Sequence, residues 1–296
     1  MKHTVKITFV LLSMFIITQF IGLYVVDFYA THNNELPYGM SPPEPEQESD
    51  FYTSFLPSII IALIIAIVIL FLLTKLNAEI ILKIWFFVVV TIALGISFNS
   101  FIPSFANSSL FILIIALPLA FMKIFKRDFL IHNLTELLIY PGIAAVFVPL
   151  LNLWTIVILL ILISLYDMWA VWHSGIMQKM AKYQINKLKI FAGLFVPYAS
   201  KQVKAKIKNM KKSDLKKKKI RINLAILGGG DIVFPIITAG VALKSGGIIP
   251  ALLVILGAVL GLGILFIMAE KKKFYPAMPF ITSGIFLGLI LGFLVF

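Results

Sequence analysis

Nine apolar stretches dominate the chain, roughly at 7–26, 53–74, 80–98, 104–122, 137–151, 153–172, 221–242, 248–269 and 274–296. A helix needs about 20 predominantly apolar residues to cross a bilayer, and most of these runs are that long. A soluble fold could not bury so many of them. Only 13% of the 296 residues are charged and 60% are hydrophobic, where a soluble domain carries about 25% charged residues. Runs this long also exclude disorder. The expected fold class is therefore all-α: a multi-pass protein of the cell membrane with nine transmembrane helices. The fifth stretch is short and broken by Pro141 and Pro149, and almost nothing separates it from the sixth. The first follows Lys2 and Lys6 like a signal peptide. It is long for that role and lacks a good cleavage site, so it is read as a span. The chain has no cysteine, which excludes disulfides, thiolate metal sites and a cysteine nucleophile.

Charge orients the spans. With the N-terminus inside and the C-terminus outside, 25 of the 26 basic residues fall in cytoplasmic segments, Lys244 being the exception. The first outer loop carries Asp27, Glu35, Glu44, Glu46, Glu48 and Asp50 and no lysine or arginine. This is the positive-inside pattern. The loop at 173–220 holds most of the basic residues, including Lys216 to Lys219. Such a run can bind nucleic acid or anionic lipid, but here it reads as a topological anchor and solvated tether, in contact with membrane lipid and without a nucleic-acid partner. Within it, 176–196 has the spacing of an amphipathic surface helix. Residues 198–219 have no apolar stripe and are expected to be mobile. The whole is one membrane domain, with helices 1–5 in residues 1–151 and helices 6–9 in 152–296.

Of thirteen acidic residues, six lie in the first outer loop; Glu79, Asp128, Glu136, Asp214 and Glu270 are assigned to cytoplasmic loops or span ends. Asp167 in span six and Asp231 in span seven remain. Each costs about 2.5–3.5 kcal/mol to insert near a bilayer centre, and an intramembrane carboxylate is by default functional. Counting 1.5 Å per helical residue puts Asp167 roughly 8 Å and Asp231 roughly 15 Å from the cytoplasmic face. Gly228, Gly229 and Gly230 precede Asp231. Each costs about 1 kcal/mol in a helix relative to alanine, so partial unwinding is expected. Irregular backbone at membrane depth is tolerated only inside protein or beside a wet cavity. At the start of span nine, Pro276 and Pro279 flank Ala277 and Met278. The two prolines remove two backbone donors and disfavour helix before them. Unwound backbone beside paired carboxylates is a place to dock an extended peptide by strand addition.

Tyr166-Asp167, Gly228-x-Gly230-Asp231 and Pro276-Ala277-Met278 resemble the YD, GxGD and PAL motifs of the presenilin and signal peptide peptidase family, with methionine in place of the last leucine. The order and the spans match, and the small size resembles an archaeal presenilin homologue. The resemblance implies an intramembrane aspartic endopeptidase that cuts transmembrane segments of other membrane proteins, with Asp167 and Asp231 catalytic and no metal or cofactor. It also implies that Tyr166, Gly228, Gly229, Gly230, Pro276, Ala277 and Met278 bind substrate around the scissile bond. Carboxylates that share a proton cannot both ionise. The charged one would activate water while the protonated one polarises the peptide carbonyl. A homo-oligomer is compatible with this reading. Presenilins share the orientation deduced from the charges and signal peptide peptidases have the reverse, which implies a preference for substrates with their N-terminus outside.

Two other readings use the same carboxylates. A prepilin or preflagellin peptidase also has a GxGD motif, but usually fewer spans and no PAL-like segment. A proton-coupled transporter pairs carboxylates with broken helices, yet no inverted repeat is visible, since both carboxylates lie in the C-terminal half. There is no HExxH motif, and His173-Ser174 is not in a nucleophile context. The four histidines (His3, His32, His132 and His173) are expected to be interfacial or solvated. Gly257, Gly261, Gly284, Gly288 and Gly292 fall at four-residue spacings and suit close helix packing.

Overall fold

A computed structural model describes residues 5–30, 34–41, 79–103, 107–126, 128–174, 190–198, 223–269 and 275–295, with a few isolated positions between them. Among the described residues eight α-helices are formed: α1 (Val5–Ala30), α2 (Glu79–Phe101), α3 (Ser108–Phe121), α4 (Phe129–Phe147), α5 (Leu153–Trp169), α6 (Gly229–Gly246), α7 (Ile248–Met268) and α8 (Met278–Val295). Between α5 and α6 the strands β1 (Gly193–Tyr198) and β2 (Asn223–Gly228) pair antiparallel. Among the described residues six helical segments are long and apolar enough to cross a membrane: α1, α2, α3 continued to Lys126, α4 continued to Leu150, α5 continued to His173, and α7; Met278–Leu294 of α8 is apolar but shorter. The second apolar stretch, 53–74, and the segment 198–219 beyond its first residue lie outside the described residues, apart from isolated positions.

The outer surface is apolar: Trp85, Ile114, Leu256, Leu260 and Leu287 are all exposed. A soluble protein avoids so large an apolar surface, whereas lipid matches it. The main core joins α1, α4, α5, α6, α7 and α8 with the inner residues of both strands. Helix α1 packs against α4, α6 and α7, so it lies beside α6, which carries Asp231. A second core, including Leu82, Leu94, Ala116 and Ile139, joins α2, α3 and α4.

Three boundaries differ from the sequence reading, for identifiable reasons. The fifth stretch, expected at 137–151, becomes a helix beginning at Phe129. Asp128 caps it, accepting from the Leu130 and Ile131 amides at 2.8 and 3.1 Å. His132, Asn133, Thr135 and Glu136 turn inward rather than ending the span, so polarity hides the first two turns from a hydropathy window. The short turn Val148–Leu150 and an Asn152–Thr155 capping box then separate α4 from α5. The seventh stretch, expected to be helical from 221, runs as a strand through 223–228. Its partner is Gly193–Tyr198, so the end of the surface helix expected at 176–196 is a strand; residues 175–189 are not described.

The glycine stripes pack α7 against α8. A Cβ at Gly257 would strike the Gly284 carbonyl, one at Gly261 the Phe280 carbonyl, and one at Gly288 the Leu253 carbonyl. Gly263, on the same helix, has nothing within 4 Å of such an atom. Gly257→Val should therefore lower stability by about 1–3 kcal/mol through overpacking, read as an earlier thermal unfolding transition in detergent. Gly263→Val should unfold like the wild type.

Candidate active site

Asp167 lies in the last turn of α5, 4% exposed. The helix continues into a π-turn over Ala170–Ser174, and such turns are frequent at functional sites. One carboxylate oxygen, Oδ2, accepts from the Met278 amide at 3.0 Å, and the Ala277 amide also donates to the carboxylate. Tyr275, Pro276 and Ala277 are non-helical and α8 begins only at Met278. The first amides of a helix have no partner within it, and here a side chain from another helix takes two of the donors at this start. One turn earlier in α5, Ser164 donates to Thr282 of α8 at 2.9 Å, which fixes the two helices to each other. The second oxygen, Oδ1, is buried and has no hydrogen-bond partner among the described residues.

Asp231 lies in the first turn of α6, 9% exposed. The chain leaves β2 extended and turns helical after Gly228, the N-cap residue. Asp231 is the third helical residue, and its carboxylate accepts the Gly228 amide. This is the reach-back half of a capping box. The expected partial unwinding is confined to Gly228, the one glycine of the run outside the helix, and the strand before it replaces the helical turns along which a depth of roughly 15 Å is counted. The glycines differ in what they permit. A Cβ at Gly228 would lie 3.1 Å from Asp231 Oδ2, and one at Gly229 would lie 2.8 Å from the Tyr140 hydroxyl. At Gly230 the nearest atom would be Phe234 at 3.8 Å, so space is open there.

The structure brings Asp167, Asp231, Gly228, Gly229, Gly230, Pro276, Ala277 and Met278 to one place, where the end of α5 meets the starts of α6 and α8. The two carboxylates are close enough to act on each other electrostatically. Tyr166 does not join them: it is 55% exposed and its ring lies 6.3 Å from that of Trp169 on the outer face of α5. Neighbouring helical residues do not share a face. Among the described residues, no group of three His, Asp or Glu side chains converges as a metal site.

Several polar residues behind the carboxylates escaped the sequence reading. Gln19 of α1 is buried and donates to the Ile232 carbonyl at 3.1 Å, beside Asp231. The buried hydroxyl of Tyr140 is in electrostatic reach of both Asp231 and Glu136. Glu136 is not at a span end: it is 1% exposed inside α4 and ion-paired with buried Lys123, which the charge pattern alone assigns to a cytoplasmic segment. His132 is buried rather than solvated; its Nδ1 lies 3.5 Å from Lys123 Nζ and its Nε2 lies 2.9 Å from the Gly193 carbonyl oxygen. The available signal was the polar set at 132, 135 and 136, which shares one helix face.

Removing one partner of a buried ion pair leaves the other uncompensated. Lys123→Met should destabilise the fold by about 3–5 kcal/mol, and adding Glu136→Gln should recover most of that loss. Thermal unfolding of the purified variants in detergent measures both.

Residues 12–296 match the family model described as signal-peptide peptidase, presenilin aspartyl protease. Two solved structures of a presenilin family intramembrane aspartate protease share the fold. The first, in space group C222, is 17% identical and superposes with a TM-score of 0.60, covering 98% of this chain and 99% of the other. The second, in space group P2, is 18% identical with a TM-score of 0.60, covering 97% of each chain. A sequence search of curated proteins returned no match. The family match spans nearly the whole chain and sets aside the prepilin-peptidase and transporter readings. This multi-pass membrane protein belongs to the presenilin and signal-peptide peptidase family and is an intramembrane aspartate protease.

Proposed function

We propose that Asp167 and Asp231 are the catalytic pair and that they hydrolyse peptide bonds within transmembrane segments of other membrane proteins. The observation that carries this reading is their convergence: two buried carboxylates from different helices act on each other, and Asp167 keeps one oxygen without a partner. The ionised carboxylate takes a proton from water as its oxygen bonds to the peptide carbon. The protonated carboxylate donates to the carbonyl oxygen. Collapse of the tetrahedral intermediate breaks the C–N bond, and a proton passes to the leaving amine. The pair holds its proton jointly.

A helical substrate shields its carbonyls with its own hydrogen bonds, so it must be extended first. The strand β2 offers a template, because its edge away from β1 runs directly into the turn that carries Asp231. The Leu224 and Ile226 side chains on β2 are exposed. Strand addition there, with Gly230 leaving room and Pro276, Ala277 and Met278 closing the opposite side, brings a scissile bond to the carboxylates. Asp167→Ala and Asp231→Ala should each reduce cleavage of a model transmembrane substrate by about 10²–10⁴-fold or more while keeping the wild-type thermal transition. Substantial turnover by either variant would remove the pair from catalysis.

In this reading the chain crosses the cell membrane nine times, with the N-terminus inside and the C-terminus outside, as the charge distribution supports. The cleft is chiral and strand addition has a direction, so orientation should select substrates. One transmembrane sequence, presented in both orientations in reconstituted vesicles, should be cleaved preferentially with its N-terminus outside. Mass spectrometry should place the cuts towards the cytoplasmic side. Equal cleavage of both orientations, or cuts confined to the outer half, would overturn this topology of recognition.

A further inference from the structure

An isolated two-stranded ribbon is marginally stable, yet β1 and β2 stand here without a third strand among the described residues. The register pairs Leu194 with Leu227, Phe195 with Ile226 and Val196 with Ala225. In an antiparallel pair alternate residues turn their peptide groups outward. On β1 those outward groups belong to Gly193 and Phe195, and α4 takes them. The Phe195 amide donates to Asn133 Oδ1 at 3.1 Å, and Asn133 Nδ2 donates to the Phe195 carbonyl at 3.0 Å. One carboxamide thus supplies the acceptor and the donor that a peptide of a neighbouring strand would supply. His132 Nε2 lies 2.9 Å from the Gly193 carbonyl oxygen. A carbonyl only accepts, so Nε2 carries the hydrogen, and Nδ1 presents its lone pair to Lys123 Nζ at 3.5 Å. Lys123 is held in turn by Glu136, one turn along α4 from His132. The Phe195 ring packs 4.6 Å from the His132 ring and 5.4 Å from Phe129.

We infer that His132 and Asn133 act as a surrogate third strand that holds the β1–β2 ribbon formed before substrate arrives, making them positioning residues that set substrate affinity. Neither side chain forms a hydrogen bond with either carboxylate of the proposed pair. With one edge of the ribbon closed by α4, the edge left open is that of β2, where Leu224 and Ile226 turn their peptide groups outward and have no backbone partner among the described residues. The inference rests on the reading that substrate adds to that edge. If the ribbon were loose, each binding event would have to order it first, and the cost would appear in KM rather than in kcat.

The test uses the full-length protein in lipid nanodiscs with a model transmembrane substrate, comparing wild type, Asn133→Ala and His132→Phe. The second variant keeps a ring against Phe195 and removes the donor to Gly193. Hydrogen exchange without substrate should accelerate at the Leu194, Val196, Ala225 and Leu227 amides in both variants, while α1 and α7 keep their protection. KM should rise about tenfold for Asn133→Ala, equivalent to ~1.4 kcal/mol, with kcat within about twofold. Unchanged exchange at those amides in both variants would overturn the clamp. Exchange accelerated throughout the fold would make these residues general fold supports and overturn it equally. A loosened ribbon with unchanged KM would overturn the link to substrate and, with it, the docking edge, while leaving the aspartate pair untouched.

Discussion

A carboxylate enclosed by apolar helices must find donors, and a helix that starts inside a protein must find acceptors for its first amides. In this chain each requirement answers the other. Asp167 takes the Ala277 and Met278 amides where Pro276 interrupts the chain before α8. Asp231 takes the Gly228 amide where a strand becomes α6. Neither carboxylate needs a basic partner, and among the described residues none is ion-paired with either. A lysine or arginine there would fix both groups as anions, whereas backbone dipoles stabilise negative charge without removing the option of a shared proton. Acid–base chemistry on a peptide needs that option.

Because the donors are backbone amides, the positions of the carboxylates depend on where three elements begin and end. The Ser164–Thr282 hydrogen bond fixes α5 to α8 one turn away from Asp167, and the glycine seam brings α7 and α8 into backbone contact. On the other side, Gln19 holds the Ile232 carbonyl, while Tyr140 lies against Gly229 so closely that a methyl group there has no room. Helices α1 and α4 therefore support a site whose carboxylates they do not contribute. An unpaired Glu136 or Lys123 would disturb the same helix that presents Tyr140.

How much of this could be read in advance varied with the range of the forces involved. The long apolar helices and the two carboxylates were legible, since a charge stands out against twenty apolar neighbours and the prolines at 276 and 279 act locally. The beginning of α4 was not. His132, Asn133 and Glu136 lower local hydropathy, and their partners, Gly193, Phe195 and Lys123, lie far away or in another element. The strand at 223–228 was missed for a similar reason. Asn-Leu-Ala-Ile-Leu-Gly suits the start of a membrane helix as well as a strand, and pairing with 193–198 decides between them. Lys123 shows the converse error: a lysine after an apolar run reads as an end marker, and only the fold reveals the glutamate thirteen residues later that draws it inside. Tyr166 shares a motif with Asp167 but faces outward, because sequence adjacency and helix face are different things.

The open edge of β2 remains to be accounted for. Peptide groups without partners are expensive in an apolar setting, and soluble proteins close or guard such edges. Here one edge of the ribbon is closed by a carboxamide and an imidazole from α4, while the other, leading to Asp231, has no backbone partner among the described residues. In the proposed mechanism water satisfies that edge before a peptide arrives. Hydrolysis within a membrane needs a route for water to the carboxylates and a way to hold an unwound peptide. In the proposed mechanism, one unpaired strand edge meets both needs in turn: it is hydrated when empty, and an arriving peptide replaces that water with backbone hydrogen bonds.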